Sequence, residues 1–134
     1  MTEGDVNNEI IRLCALYGGE DCHGGIVAVD ANAANPHYFG TSGVIGEHAV
    51  VEMDFGCTYK GMYSDITRTV IVGEATEREK EIYNLVLQAN LAGEAAAKKG
   101  AWIPDVDLAA RKVIEDAGYG NEFNHRLGHG IGYA

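Results

Sequence analysis

Two β-rich runs joined by a short polar connection constrain the fold of this chain more than any other feature. Residues 50–57 and 62–72 are rich in β-branched and other apolar side chains, and a four-residue connection, 58–61, separates them. This pattern is typical of an antiparallel β-hairpin. Opposed residues in a hairpin have a constant sum of residue numbers, so a turn centred in the middle of the connection places Asp54 opposite Asp65.

Helical patterns surround the predicted hairpin. Apolar residues recur at helical spacing in three segments, residues 2–16, 76–98 and 104–118. Thr2 is predicted to cap the first helix, and Thr76 with Glu79 three residues later forms a capping-box pattern at the start of the second. A buried strand is predicted over 25–30 and an irregular segment over 31–43. The sequence therefore predicts an α+β chain with a curved, mainly antiparallel sheet covered by helices.

The charge of the chain limits its partners. The 134 residues carry a formal net charge of -10, and 46% of them are apolar. This charge repels nucleic-acid phosphates and anionic membranes. No apolar stretch approaches the roughly 20 residues that span a bilayer, and the N-terminus has no basic start followed by an apolar run. We expect no nucleic-acid or membrane partner and a cytoplasmic location.

Three cysteines, Cys14, Cys22 and Cys57, give no pattern of their own. They are odd in number and lack Cys-x-x-Cys spacing, so neither a disulfide framework nor a zinc ribbon is predicted. Cys57 lies three residues after Asp54, which places it on the opposite face of an ideal strand. We expect it to be an ordinary buried thiol.

Asp54 and Asp65 are the most informative pair of the predicted hairpin. Opposed side chains have Cβ atoms roughly 4.5–5.5 Å apart, and two buried carboxylates that close repel unless a cation or a shared proton lies between them. A divalent ion removes the repulsion, and an imidazole from His129 would widen the choice of ions. Alternatively, the aspartates are solvated, and the glycine-rich stretch 125–134, with no later element to pair with, is a flexible tail.

Three separate motifs carry a resemblance to a known family. They are NAANPHY (32–38), MDFGCTYKGMYSDITRT (53–69) and HRLGHGIG (125–132). In this order they resemble the M24 metallopeptidase family, which includes Xaa-Pro dipeptidase, aminopeptidase P and methionine aminopeptidase. The resemblance implies the pita-bread (creatinase/aminopeptidase-like) fold. It also implies that residues 1–134 are part of the catalytic domain, without the family's first helix and its C-terminal metal-ligand strands.

The resemblance implies roles for five residues. Asp54 resembles a ligand to one metal ion, Asp65 the carboxylate that bridges two ions, and His129 the imidazole ligand. His37 and His125 resemble the two pocket histidines that hydrogen-bond the substrate carbonyl or the tetrahedral intermediate. The remaining ligands of the family are two glutamates on later strands, and no residues here match them.

The family also implies a reaction. Two divalent ions, Mn²⁺ first and Co²⁺, Zn²⁺ or Fe²⁺ as alternatives, would activate a water to attack the peptide bond before a proline at the second position of the substrate. His125 four residues before His129, together with the Thr-Arg-Thr of 67–69, resembles the Xaa-Pro aminopeptidase and dipeptidase branch more than the methionine branch. A homodimer is implied for the full-length protein.

Other functions stay open at the level of the sequence. A truncated, inactive fragment would retain these motifs without peptidase activity. A noncatalytic binding relative of the same fold is a second alternative, although such relatives usually lose the residues that are retained here. A methionine aminopeptidase or a creatinase-like hydrolase is a weaker alternative, and creatinase lacks the paired aspartates.

Overall fold

The computed structural model describes residues 1–22 and 24–133, and these divide into two compact units. The first contains residues 1–74 and the segment from Ile131, and the second contains residues 75–130. The elements in chain order are α1 Glu3–Leu16, β1 Gly25–Val29, a 3₁₀ helix Asp30–Ala34, β2 Ala49–Phe55, β3 Thr58–Tyr59, β4 Met62–Tyr63, β5 Ile66–Val72, α2 Glu77–Ala96 and α3 Ile103–Asp116.

The first unit is built on an antiparallel sheet with the strand order β1-β2-β5. Its core consists of four buried side chains, Val27, Val29, Ala49 and Val51. Val6 and Ile10, one helical turn apart on α1, pack against this core. The predicted antiparallel pairing is confirmed, and β2 is the central strand. The predicted strand over 62–72 is divided into β4 and β5, with residues 64 and 65 outside both, and β3 and β4 form a separate two-stranded sheet.

Helix α1 begins where the sequence predicts. The Thr2 hydroxyl accepts a hydrogen bond from the Asp5 amide at 3.2 Å, and the Asp5 carboxylate accepts one from the Thr2 amide at 2.8 Å. This reciprocal capping box satisfies two of the amides that a helix start leaves without a partner inside the helix. Thr2 is therefore confirmed as the N-cap.

The register of the hairpin differs from the prediction by one residue at the turn. Asp54 pairs with Thr67, and Thr58 pairs with Tyr63, so Asp54 does not lie opposite Asp65. The turn is formed by Lys60 and Gly61, whose φ angles of 51° and 77° are both positive. Two-residue hairpin turns of this kind match the right-handed twist of the flanking strands. The predicted opposition of the two aspartates was therefore wrong.

Two segments are more regular than the sequence predicts. Residues 31–34 belong to the 3₁₀ helix, so the irregular segment is shorter than predicted. Near the other end of the chain, the Tyr63 amide donates to the Gly132 carbonyl at 2.9 Å, and Met62 forms an antiparallel bridge with Tyr133. The glycine-rich stretch therefore pairs with the earlier strand β4, which the alternative of a free tail did not include. Residue 134, the last of that stretch, lies outside the described residues.

The second unit is a pair of packed helices. Ala89 on α2 meets Ala110 and Ile114 on α3 in a buried cluster, and Leu127 packs against it. Gly93 permits this packing, because a Cβ at position 93 would lie 2.7 Å from Leu127 Cδ2. The capping box at the start of α2 is confirmed, with the Glu79 amide donating to Thr76 Oγ1 at 3.2 Å and the Thr76 amide donating to Glu79 Oε2 at 2.7 Å.

Within residues 1–22 and 24–133, none of the helices combines the length and the apolar character needed to cross a bilayer.

Candidate functional site

Asp54 lies on the central strand of the sheet. It pairs with Ile26 on one side and with Thr67 on the other. Thr67 Oγ1 donates to Asp54 Oδ1 at 3.0 Å, and the aspartate is half-buried. The neighbouring strands fix the backbone of Asp54, and the threonine hydroxyl orients its carboxylate.

Asp65 lies on the other arm of the same hairpin. It is exposed and directly precedes β5, two residues before Thr67. The register aligns Asp65 with Gly56. A Cβ at Gly56 would collide with the Ser64 carbonyl oxygen, so glycine allows the two arms to approach closely at this level. The two aspartates are diagonal neighbours, with a separation of roughly 7–8 Å expected for such positions.

His37 lies in a loop that Glu3 ties to the rest of the first unit. Glu3 is 0% exposed. Its Oε1 accepts hydrogen bonds from the Val29 amide at 2.9 Å and Asn32 Nδ2 at 2.8 Å, and its Oε2 accepts from the Tyr38 hydroxyl and the Gly43 amide, both at 2.9 Å. Every donor is neutral and lies on β1 or in the segment that follows it.

Glu3 remains ionised in this environment. Burial by itself raises the pKa of its carboxyl group, but the four hydrogen bonds outweigh burial, and the pKa lies below its ordinary value. His37 is exposed on the tethered loop, and its amide donates to Asn35 Oδ1 at 3.0 Å. The first and last residues of the NAANPHY motif, Asn32 and Tyr38, are therefore anchors of the loop that presents His37.

His125 lies in a segment that α3 holds through an ion pair. Arg111 Nε lies 2.9 Å from Asp107 Oδ2, and the guanidinium also donates to the Phe123 carbonyl at 2.7 Å and the His125 carbonyl at 2.8 Å. Asp107 Oδ1 in turn accepts from the Leu127 amide at 2.6 Å. Both side chains therefore bind the backbone on either side of the histidine.

The ion pair also affects the pKa of Asp107 and the packing around His125. The hydrogen bond from Arg111, followed by that from the Leu127 amide, holds the pKa of Asp107 below its ordinary value. The guanidinium carbon of Arg111 lies 4.3 Å from the centre of the Phe123 ring, and that ring meets the His125 ring edge to face at 5.6 Å. The tether thus reaches the imidazole through packing as well as through the backbone.

His129 is exposed, and its ring is oriented by its own segment. Its Nδ1 lies 2.9 Å from the Gly130 carbonyl oxygen. A carbonyl can only accept, so Nδ1 carries the proton, and the neutral ring has its lone pair on Nε2. Ligating histidines in proteins commonly show this arrangement, with one ring nitrogen bonded to a carbonyl and the other directed at the metal.

The structure describes two groups of predicted site residues. The hairpin of the first unit carries Asp54 and Asp65, and one segment of the second unit carries His125 and His129. His37 lies apart from the hairpin in sequence, in the loop that Glu3 holds. Glu3, Asp107 and Arg111, which tether the histidine-bearing segments, were missed by the sequence reasoning. No local signal distinguishes them, because the backbone groups that they bind lie 12 to 40 residues later in the chain.

Comparisons with known proteins support a single family. The model of "Metallopeptidase family M24" matches residues 1–134. The chain is 37% identical to an Xaa-Pro dipeptidase of Pyrococcus horikoshii over 98% of its length and 39% of that protein's. It is 45% identical to an Xaa-Pro dipeptidase of Lactobacillus delbrueckii subsp. lactis over 80% of its length and 29% of that protein's. The chain therefore spans less than two fifths of these curated relatives.

Solved structures agree with the sequence comparisons. A dipeptidase of Pyrococcus horikoshii superimposes with a TM-score of 0.93 at 39% identity, covering 98% of this chain and 37% of that one. The predicted α+β class and the partial pita-bread fold are confirmed by this similarity.

Proposed function

The chain belongs to metallopeptidase family M24, and we propose that it carries part of the catalytic site of a metal-dependent Xaa-Pro peptidase. The observation that carries the proposal is the hairpin, on which Asp54 lies in β2 and Asp65 directly precedes β5. The proposed reaction is hydrolysis of the peptide bond before a proline at the second position. The names of the matched relatives favour dipeptides as the substrate class.

The donor groups fit a divalent metal centre. Two carboxylates and one imidazole, from Asp54, Asp65 and His129, offer the oxygen and nitrogen ligands that Mn²⁺, Co²⁺, Zn²⁺ and Fe²⁺ accept. The diagonal spacing of the aspartates is wider than the predicted direct opposition, which leaves more room between the two carboxylates. When bound, such ions lower the pKa of a water so that it can attack a peptide carbonyl near neutral pH.

The protein groups prepare this chemistry. The Thr67 hydroxyl orients Asp54, and the Gly130 carbonyl holds the proton of His129 on Nδ1, so that Nε2 presents a lone pair. His125 also bonds a carbonyl through Nδ1, that of Arg126 at 2.8 Å. Its other ring nitrogen, Nε2, is proposed to hydrogen-bond the developing oxyanion. His37 is proposed as the second donor.

Three further features stay predictions from the family resemblance. They are Mn²⁺ as the preferred ion, a homodimeric assembly of the full-length protein, and a cytoplasmic location.

A Mn²⁺ titration of the 134-residue chain, followed by calorimetry, tests the ligands. We expect binding that weakens at least about tenfold in Asp54→Asn and Asp65→Asn, since each substitution removes a charged ligand. Asp116→Asn is the matched control, because Asp116 pairs with Lys112 on the exposed surface of α3. Equal affinities in all four proteins would contradict the assignment of the ligands.

Hydrolysis of an Xaa-Pro dipeptide, compared with the matching Xaa-Ala dipeptide, tests the reaction. Turnover of Xaa-Pro with Mn²⁺, abolished by Asp65→Asn, would establish this chain as a peptidase. Metal binding without turnover would favour the alternative of an inactive fragment, because the family resemblance places two further ligands in later strands. Faster cleavage of Xaa-Ala would contradict the proposed substrate class.

A further inference from the structure

Three cysteine side chains that are distant in the sequence converge in the first unit. Cys14 lies on α1, Cys22 in the segment after it, and Cys57 between β2 and β3. Their Sγ atoms all lie within 4.8 Å of one another, and all three side chains are half-buried with free thiols. Among the residues that the structure describes, this is the set of three ligand atoms from cysteine, histidine or acidic residues that meets this distance.

Backbone contacts hold the cluster in place. The Glu20 amide donates to the Thr58 carbonyl at 2.6 Å, and the Thr58 amide donates back to the Glu20 carbonyl at 2.9 Å. This bridge joins the segment of Cys22 to the strand next to Cys57. The Gly19 amide donates to the Cys14 carbonyl at 2.8 Å, which ties the same segment to the end of α1. The three sulfurs are therefore brought together by three separately fixed pieces of backbone.

Gly19 lies directly against the cluster. A Cβ at this position would lie 2.9 Å from each of three atoms, the Cys14 carbonyl oxygen, Cys22 Sγ and Cys57 Sγ. Real Cβ atoms essentially never come this close, so any side chain at position 19 would displace sulfurs. Glycine thus preserves the compact arrangement of the thiols.

The chemistry of the thiols argues against a reactive nucleophile. Burial, and then the proximity of Cys57, raises the pKa of both Cys14 and Cys22. Reactive cysteines instead lie in electropositive surroundings that lower the pKa of the thiol. A thiophilic cation reverses this situation, because it binds thiolates and displaces their protons.

We infer that Cys14, Cys22 and Cys57 form a metal site that binds one Cu(I) ion through three thiolates. Binding breaks three S–H bonds, releases three protons and forms three S–Cu bonds, with no change in oxidation state. Thiolate sulfur is the ligand type that soft Cu(I) prefers.

The distances suit such an ion. Metal–sulfur bonds of about 2.3 Å place three sulfurs about 4 Å apart around a shared ion, and the thiols already lie within 4.8 Å of one another. This cluster contains neither aspartate, and the Asp54 carboxylate accepts a hydrogen bond from Thr67 instead.

An anaerobic titration of the chain with Cu(I), against a chromogenic Cu(I) chelator, tests the inference. We expect one ion per chain, with three sulfur neighbours by X-ray absorption spectroscopy. Cys22→Ser should lower the affinity by more than roughly 100-fold, since loss of an outer-shell partner alone commonly costs 10–100-fold. Asp65→Asn should leave the affinity unchanged, which separates this site from the proposed peptidase centre.

Gly19→Ala tests whether Cu(I) binding depends on the compact arrangement of the three sulfurs. This variant keeps all three thiols, which a thiol-reactive dye can count, but pushes the sulfurs apart, so we expect roughly tenfold weaker binding. Circular dichroism matched to that of the unaltered chain ensures that the variants are folded. Binding of several ions, unchanged affinity in Cys22→Ser, or an equal loss in Asp65→Asn would overturn the inference.

Discussion

Each of the two units ties a histidine-bearing segment to a helix through one acidic side chain, but the two tethers differ in kind. Glu3 is 0% exposed and accepts hydrogen bonds from neutral donors. The Asp107 side chain is 26% exposed and pairs with the guanidinium of Arg111. A buried carboxylate without a cation depends on every one of its donors, whereas a partly solvated ion pair has water as a substitute. The Glu3 tether should therefore govern stability, and the Asp107 tether should mainly govern position.

The largest effect is expected from Glu3→Gln. A glutamine places an NH₂ group against donors, so at least two of the four bonded groups lose their acceptor while they stay wholly or partly buried. We expect a loss of about 3 kcal/mol in the free energy of unfolding, measured in urea.

Glu9→Gln on the same helix is the matched control. Glu9 is exposed and pairs with Arg12, also exposed, so its replacement should leave stability unchanged. A loss below about 1 kcal/mol for Glu3→Gln would remove the distinction between the two tethers.

The second-largest effect is expected from lowering the pH, which should reduce the contribution of each tether to the free energy of unfolding. The pKa values of Glu3 and Asp107 are both lowered in the folded protein, so each contributes stability above the ordinary carboxyl pKa that is lost as the pH falls through the folded value. The loss should be smaller than that of Glu3→Gln, because protonation keeps the shape of the side chain and one carbonyl oxygen.

Unfolding free energies between neutral pH and about pH 3, at low and high salt, measure this effect. The contribution of Asp107 should shrink in high salt, because its partner is a partly solvated cation, and the contribution of Glu3 should persist. The same measurements on Glu3→Gln and Asp107→Asn show how much of the loss of stability in acid comes from each carboxylate. Stability that increases toward acid would contradict both assignments.

Asp107→Asn should have the smallest effect on stability, about 1 kcal/mol, because its neighbours can bind water instead. Its effect on position should be larger, since Arg111 and the Leu127 amide both lose the carboxylate that fixes the backbone around His125. We expect new chemical shifts and increased mobility for the His125 ring by NMR. Asp116→Asn, another aspartate of α3 paired with a basic residue, should leave the His125 signals in place.

The sequence predicts the helices and strands well because their signals are local. The capping box at Thr76 and Glu79 and the apolar spacing of α1 involve residues within a few positions of each other, and all were found in the structure. The turn was placed one residue too early because Lys60 adopts a positive φ of 51°. Few residues other than glycine do so, and the turn signal that the sequence offers is Gly61, the next residue.

Long-range polar contacts were not predictable in this way. The donors to Glu3 come 26 to 40 residues later in the chain, and the cysteine cluster joins three elements with no motif spacing. The candidate site was only partly predictable from the sequence. Its residues were identified by resemblance, and the roles of Asp54, Asp65, His129, His37 and His125 stay predictions, whereas the register correction and the tethers come from the structure.

The tight turn at Lys60 and Gly61 also bears on the order of events during folding. Hairpins of this size close in about 1–10 μs, before most contacts between distant parts of a chain. Asp54 and Asp65 therefore become neighbours early, as two like charges in a chain that is already strongly acidic. Their repulsion opposes closure at that moment, and a divalent cation in the surrounding solution would remove this opposition. The folding rate of this chain should thus depend on the ions present while it folds.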